Sequence, residues 1–245
     1  MKIVAAFDSF KGSLSAQDIV TIVGKAVRTT LPNATITELP LADGGEGTTE
    51  ALAHYLNASW QICNAHDALM RPITTKYAIS SNGTTAIMDM ASAAGLTLLS
   101  SEERNPMLTT TFGVGEMLKD AISKGCKHIL LGIGGSATND AGIGMLAALG
   151  VKFYDNHKRE VTPIGKNLKL ISSVDLSKII SLKTITIDVI CDVTNPLYGP
   201  NGAAHIYAKQ KGANSTEIIE LDNGLRHFAT LCTTNPNTSG AGAAG

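Results

Sequence analysis

Aromatic side chains are scarce in this sequence, at 4% of its 245 residues, and the scarcity removes one class of function. Single-stranded nucleic acid is bound largely by stacking bases on aromatic rings. A formal net charge of −1 supplies no basic field for duplex phosphates or an anionic membrane either. Apolar runs are short: none approaches the roughly 18 residues of a membrane span. The opening run Lys2–Phe7, closed by Asp8, is too brief for a secretory signal. Cys63, Cys126, Cys191 and Cys232 lie far apart, with no C-x-x-C pair and no histidine at metal spacing. Buried reduced thiols and a cytoplasmic location are expected. The sequence also has no G-x-x-x-x-G-K-[ST] loop, no G-x-S-x-G elbow and no H-E-x-x-H helix, which excludes the usual P-loop, serine-hydrolase and zinc-protease routes.

What is present alternates between strand and helix. Lys2–Phe7 reads as a buried strand. Ser15 and Asp18 form a capping-box pattern ahead of Ile19, Ile22, Val23, Ala26 and Val27, which keep helical spacing up to Thr30, and Pro32 ends the run. Thr35–Leu39 reads as a second strand and Thr48–Leu56 as a second helix, a pattern that implies a parallel sheet. The rhythm then changes. Trp60–Asn64, Thr74–Ser80 and Thr84–Met90 read as three successive strands, the last two joined by a hairpin at Ser81-Asn82-Gly83. A domain boundary is therefore expected near Ala65. Gly113–Lys124 is a helix with Gly125 as its cap. His128–Ile133, Val151–Asp155 and Thr184–Cys191 are further strands, with a helix through Leu149 between the first two and a last helix opened by Asn214 and Glu217. The glycine-rich end, Ser239–Gly245, reads as a loop that would feed a helix.

Four polar, glycine-rich loops follow expected strands, the place where open α/β sheets bind ligands. Asp8, Ser9, Lys11 and Ser13 put an acid, a base and two hydroxyls in one loop, a set that suits phosphate or a hydroxy acid. Asp43, Gly44, Gly45 and Glu46 combine glycines that permit close backbone approach with two carboxylates, which would bond substrate hydroxyls or a bridging metal. Gly134, Gly135, Ser136, Thr138, Asn139 and Asp140 make the third loop. Gly132, Gly134 and Ala137 match the G-x-G-x-x-A dinucleotide fingerprint, with Asp155 about where a ribose-binding acid belongs. The negative charge of Asp140 argues against a pyrophosphate there and for a metal or substrate hydroxyls. In the fourth loop, Asp192 ends a strand ahead of Asn195 and could orient an alcohol and take its proton during phosphoryl transfer. None of the six histidines falls in these loops.

Together these loops resemble the bacterial type-I glycerate kinase family. The matching stretches are Asp8–Ser15, Leu41–Thr48, Glu103–Pro106, Thr109–Gly113, Gly132–Asp140, Cys191–Leu197, Gly199–Ala204 and Gly240–Gly245. The resemblance implies ATP- and Mg2+-dependent phosphorylation of D-glycerate, most often to 2-phosphoglycerate. The alternative is a non-catalytic binder of a small hydroxy acid or phosphate. It implies two α/β domains: a Rossmann-like parallel-sheet domain, its N-terminal half at 1–65, and an inserted mixed α/β domain at 66–239. Residues 240–245 would begin the return to the first domain, so the family pattern implies a chain that is C-terminally incomplete. Lys11 would neutralise phosphate charge and Asp192 would be the base. Asp8, Ser9, Ser13, Asp43, Gly44, Gly45, Glu46, Gly134, Gly135, Ser136, Thr138, Asn139, Asp140 and Asn195 would bind substrate or phosphate, with Asp43 and Asp192 as metal ligands. Two positions depart from the family pattern. Phe7 replaces a usual Pro and is expected to extend the strand; Ala141 replaces a usual Gly and is expected to favour a helix.

Overall fold

Sequence patterning places the first four elements closely. In the computed structural model, which describes residues 1–10, 13–45 and 47–245, strand β1 (Lys2–Phe7) pairs in parallel with β2 (Thr35–Pro40). Helix α1 (Ala16–Thr30) makes the crossover. Ser15 caps it by accepting from the Asp18 amide, and its hydroxyl donates to the Asp18 carboxylate at 2.6 Å. The face carrying Ala16, Ile19, Val20 and Gly24 is buried against the strands. Phe7 does extend β1 and pairs with Pro40.

Helix α2 (Thr48–Tyr55) leads into a second, five-stranded sheet. Its order is β3 (Ser59–His66), β4 (Pro72–Ile79), β5 (Thr85–Asp89), β6 (His128–Gly132) and β9 (Thr186–Ile190). The first three strands run antiparallel and the last two join in parallel, so the sheet is mixed. The molecule is thus an α/β protein with one parallel and one mixed sheet. Ala65 lies inside β3, opposite Ile73, and the change of sheet falls ahead of it, between Tyr55 and Ser59.

Strand alternation decides what covers each face of this sheet. Tyr77 and Met88 turn toward a core with Met117 and Leu118 of helix α4 (Phe112–Ser123), while Ala78 and Ile87 turn to the opposite side and pack on Ala53 of α2. Another core gathers Ile143 of helix α5 (Ile143–Ala148), Phe153 of β7 (Lys152–Tyr154), and Leu221, Leu225 and Phe228 of helix α7 (Ser215–Ala229). Strand β7 pairs with β8 (Ser173–Asp175) apart from the main sheet. Asn214 and Glu217 form the expected capping box on α7. A short α3 (Ala91–Ala94) and α6 (Ala203–Tyr207) complete the helices among the described residues.

The helix after β6 starts late. It was expected directly after the glycine-rich turn, but α5 begins only at Ile143. Asp140 holds the intervening loop open by accepting from the amides of Thr111, Gly142 and Gly144. Ala141 is consequently not helical: its φ is 50°, the left-handed region.

Candidate active site

The carboxyl ends of β1, β2, β6 and β9 face one another across a cleft of about 910 Å³. Ligands bind at this edge of open α/β sheets because strand-to-helix loops and helix N-termini converge there. Asp8, Ser9 and Ser13 line the cleft from the loop after β1, and Asp43 and Gly45 from the loop after β2. Gly134, Gly135 and Ser136 contribute from the loop after β6, and Asp192 from beyond β9. Lys11 and Glu46 lie outside the described residues.

Other expected site residues stand behind this wall. Gly44 does not line the cleft; its carbonyl accepts from the Gly134 amide at 2.9 Å. A Cβ on Gly134 would come within 2.6 Å of the Gly45 Cα, and one on Gly44 within 2.3 Å of the Ile190 carbonyl oxygen. These glycines therefore let two loops pack backbone to backbone, while Gly134 also lines the cleft. Thr138, Asn139 and Asp140 are fully buried and absent from the cleft lining. Asp140 spends its oxygens on Thr111, Gly142 and Gly144, with the Thr111 hydroxyl donating at 2.9 Å. Burial pushes its carboxyl up while these donors pull the other way. Asn195 is held internally: its Nδ2 donates to the Asn201 carbonyl, and its Oδ1 accepts from the Tyr207 hydroxyl.

The geometry also disposes of the dinucleotide fingerprint. No helix opens at Gly134–Ala137, so no helix N-terminus meets a pyrophosphate there. Asp155 is taken up by its own turn, accepting from the His157 and Arg159 amides and from the Arg159 guanidinium.

The loop reading missed one wall. Tyr207, Gln210 and Lys211 line the cleft from α6 and the turn that follows it. Tyr207 is the last residue of α6, and Gln210 and Lys211 follow in the turn, so no helical periodicity marks them in the sequence. Lys211 is 2% exposed, and its Nζ donates to Ser136 Oγ at 2.9 Å, the Thr138 carbonyl at 2.6 Å and the Ala244 carbonyl at 2.7 Å. Burial lowers its pKa to about 7. The Tyr207 hydroxyl is pushed up by burial, and then by the charges of Asp192 and Cys191.

Asp8, Asp43, Glu50 and Asp192 give the lining an acidic character, and Lys211 is its one cation among the described residues. No described histidine reaches it. Such a site can orient hydroxyls, take a proton and hold a cation between carboxylates and an anionic ligand. The glycine-rich end closes one side and is not a free tail. Ala244 accepts from Ser136 and Lys211, Gly245 accepts from the Ala141 amide, and the Gly242 amide donates to Asn195.

Comparison with known proteins places the whole chain. A family model described as "Glycerate kinase family" matches residues 3–245. The chain is 42% identical to the glycerate 2-kinase of Escherichia coli (strain K12), across 100% of this chain and 66% of that protein. It is 40% identical to the glycerate kinase of Bacillus subtilis (strain 168), with the same coverage. A crystal structure from Salmonella typhimurium LT2, described as "putative glycerate kinase 2", superposes with a TM-score of 0.89 at 38% identity. It is covered to 67% of its length. The chain spans 66% of the length of the curated relatives named here, just under two thirds.

Proposed function

The chain belongs to the glycerate kinase family, and from that premise we propose that its protein phosphorylates D-glycerate with ATP, giving 2-phosphoglycerate. The observation that carries this reading is the convergence of Asp8, Asp43, Ser136 and Asp192 from both sheets on one cleft. Phosphoryl transfer depends mainly on positioning and charge neutralisation, so it needs no histidine or thiol nucleophile.

In the proposed reaction the glycerate 2-hydroxyl oxygen attacks the γ-phosphorus of ATP. The new O–P bond forms as the bond from phosphorus to the β-phosphate oxygen breaks, and ADP leaves. Asp192, exposed at the end of β9, takes the hydroxyl proton. Lys11 neutralises phosphate charge, while Ser9, Ser13 and the Gly134–Ser136 turn hold hydroxyl and anionic groups. The donor set fits a hard cation: Asp43 and Asp192 offer carboxylate oxygens on facing loops. No group of three or more ligating side chains occurs among the described residues. Magnesium is commonly held by one or two carboxylates and substrate phosphates. When bound, the ion would supply charge neutralisation at the transferring group. No described helix is long and apolar enough to cross a membrane.

A coupled ADP-release assay with D-glycerate, with the product identified by phosphorus NMR, tests the reading. Turnover yielding 2-phosphoglycerate is expected. No ADP release above background would refute kinase activity, and a 3-phosphoglycerate product would refute the choice of hydroxyl.

A further inference from the structure

Lys211 is a buried cation that no acid neutralises directly. An ammonium has three donors, and all three go to uncharged oxygens: Ser136 Oγ, the Thr138 carbonyl and the Ala244 carbonyl. A charge taken out of water is normally paired, yet no ion pair forms at Lys211 among the described residues. Its three bonds also tie separate parts of the chain together. Ser136 and Thr138 belong to the loop after β6, Ala244 to the terminal segment, and Lys211 to the turn after α6. Ser136 closes the triangle by donating its own hydroxyl to the Ala244 carbonyl at 3.0 Å.

We propose that Lys211 is the internal cation of the ligand-bound cleft: it locks these three segments into one wall and draws the anionic end of the ligand, a carboxylate or phosphoryl group, toward that wall. This rests on the reading that the cleft takes substrate. Lys211 spends its donors within the wall and acts on the ligand through its charge, so it is a positioning residue. Groups facing it are few. Asp140 is the acid whose charge reaches it from the loop after β6. The terminal segment brings no ionisable side chain, and Asp8, Asp43, Glu50, Asp192, Cys191 and Tyr207 line the cleft from the other elements. With a pKa of about 7 in the free protein, the lysine is held near its titration point by burial. An anion placed at the wall favours the charged form and raises that value. Binding above about pH 7 then takes up a proton, and affinity weakens as pH rises further.

The direct readout is the Lys211 side-chain NMR signal, assigned by its loss in Lys211→Arg. It is titrated in the free protein, with D-glycerate, with inorganic phosphate and with uncharged glycerol. The signal is expected to titrate near pH 7, to move up by a pH unit or more with either anion, and to ignore glycerol. Failure of both anions to move it overturns the proposal. If phosphate moves it and glycerate does not, the role of Lys211 stands and the glycerate reading falls. In calorimetry, Lys211→Met is expected to lose at least tenfold in affinity for the anion that binds the native protein. Lys211→Arg should keep most of that affinity but lose the proton uptake. A folded Lys211→Met protein with native affinity and native proton uptake also overturns the proposal, and the NMR titration decides if that variant does not fold.

Discussion

Ala141 carries a φ of 50° beside Asp140, a conformation that costs an L-residue roughly 1–2 kcal/mol. Its Cβ was expected to favour a helix, but the helix it would favour starts two residues later, at Ile143. Glycine relieves the strain and returns part of the gain as backbone entropy in the unfolded chain. Ala141→Gly is therefore expected to stabilise the protein by about 0.5–1 kcal/mol in denaturant unfolding. A lower stability would show that the left-handed turn is not what limits this loop. Asp192 poses the opposite case, a residue whose effect belongs to the reaction and not the fold. Asp192→Asn is expected to lower kcat at least a hundredfold with KM changed less than threefold, as general-base loss does; an unchanged kcat removes it as the base. At this scale the loops were legible because they concentrate Asp, Ser and Gly after strands. The depth of each side chain was not. Asp140 and Ser136 lie four residues apart in one loop, yet one is fully buried and the other faces the cleft. Lys211 escaped because one lysine in Lys209-Gln-Lys211 looks like another until packing buries it.

At the level of elements, α2 depends on an acid from another strand. Asp89, the last residue of β5, accepts from the Thr49 amide at 3.1 Å and so satisfies one of the free N–H groups at the start of α2. Gly47, the residue ahead of the helix, has no side chain to do this. A cap supplied 40 residues away in sequence leaves no short-range pattern to read. Burial raises Asp89 from its ordinary 3.8 to about 6, ahead of the opposing pull from its bonds to Thr49. A carboxyl with a raised folded value binds its proton more tightly folded than unfolded. Its stabilising contribution is therefore full below about pH 3.8 and is lost as pH rises toward 6. The difference corresponds to roughly 3 kcal/mol. Asp89→Asn is expected to flatten this part of the stability profile between pH 4 and pH 7 by chemical denaturation. An undiminished slope would assign it to other groups. By contrast, α1, α7 and the Ser80–Thr85 hairpin carry their caps and turn residues within their own sequence, and they were read nearly to the residue.

Across the whole molecule, the cleft lies where two sheets present their carboxyl ends to each other, and a backbone contact joins two of the loops at its edge. The Gly134 amide donates to the Gly44 carbonyl, joining the loop after β6 to the loop after β2. Neither sequence pattern nor loop composition could disclose that contact, since it depends on how the two sheets pack. A methyl group at Gly134 would stand 2.6 Å from the Gly45 Cα and 3.1 Å from the Gly45 nitrogen. Both neighbours are backbone, so relief requires the loops to separate. The two larger hydrophobic cores lie elsewhere, around Tyr77 and Met117 and around Phe153 and Leu221, and include neither of these glycines. Gly134→Ala is therefore expected to cost stability only about 1–3 kcal/mol, in the range of ordinary overpacking. The same change is expected to reduce kcat/KM by at least a hundredfold, because misplacing groups on facing loops by an ångström has that order of effect on positioning. Unfolding and steady-state kinetics on one preparation measure both. Near-native kcat/KM would mean that the Gly134–Gly44 contact does not set the geometry of the cleft. A loss of stability far beyond 3 kcal/mol would mean that the sheets fold as one unit through it.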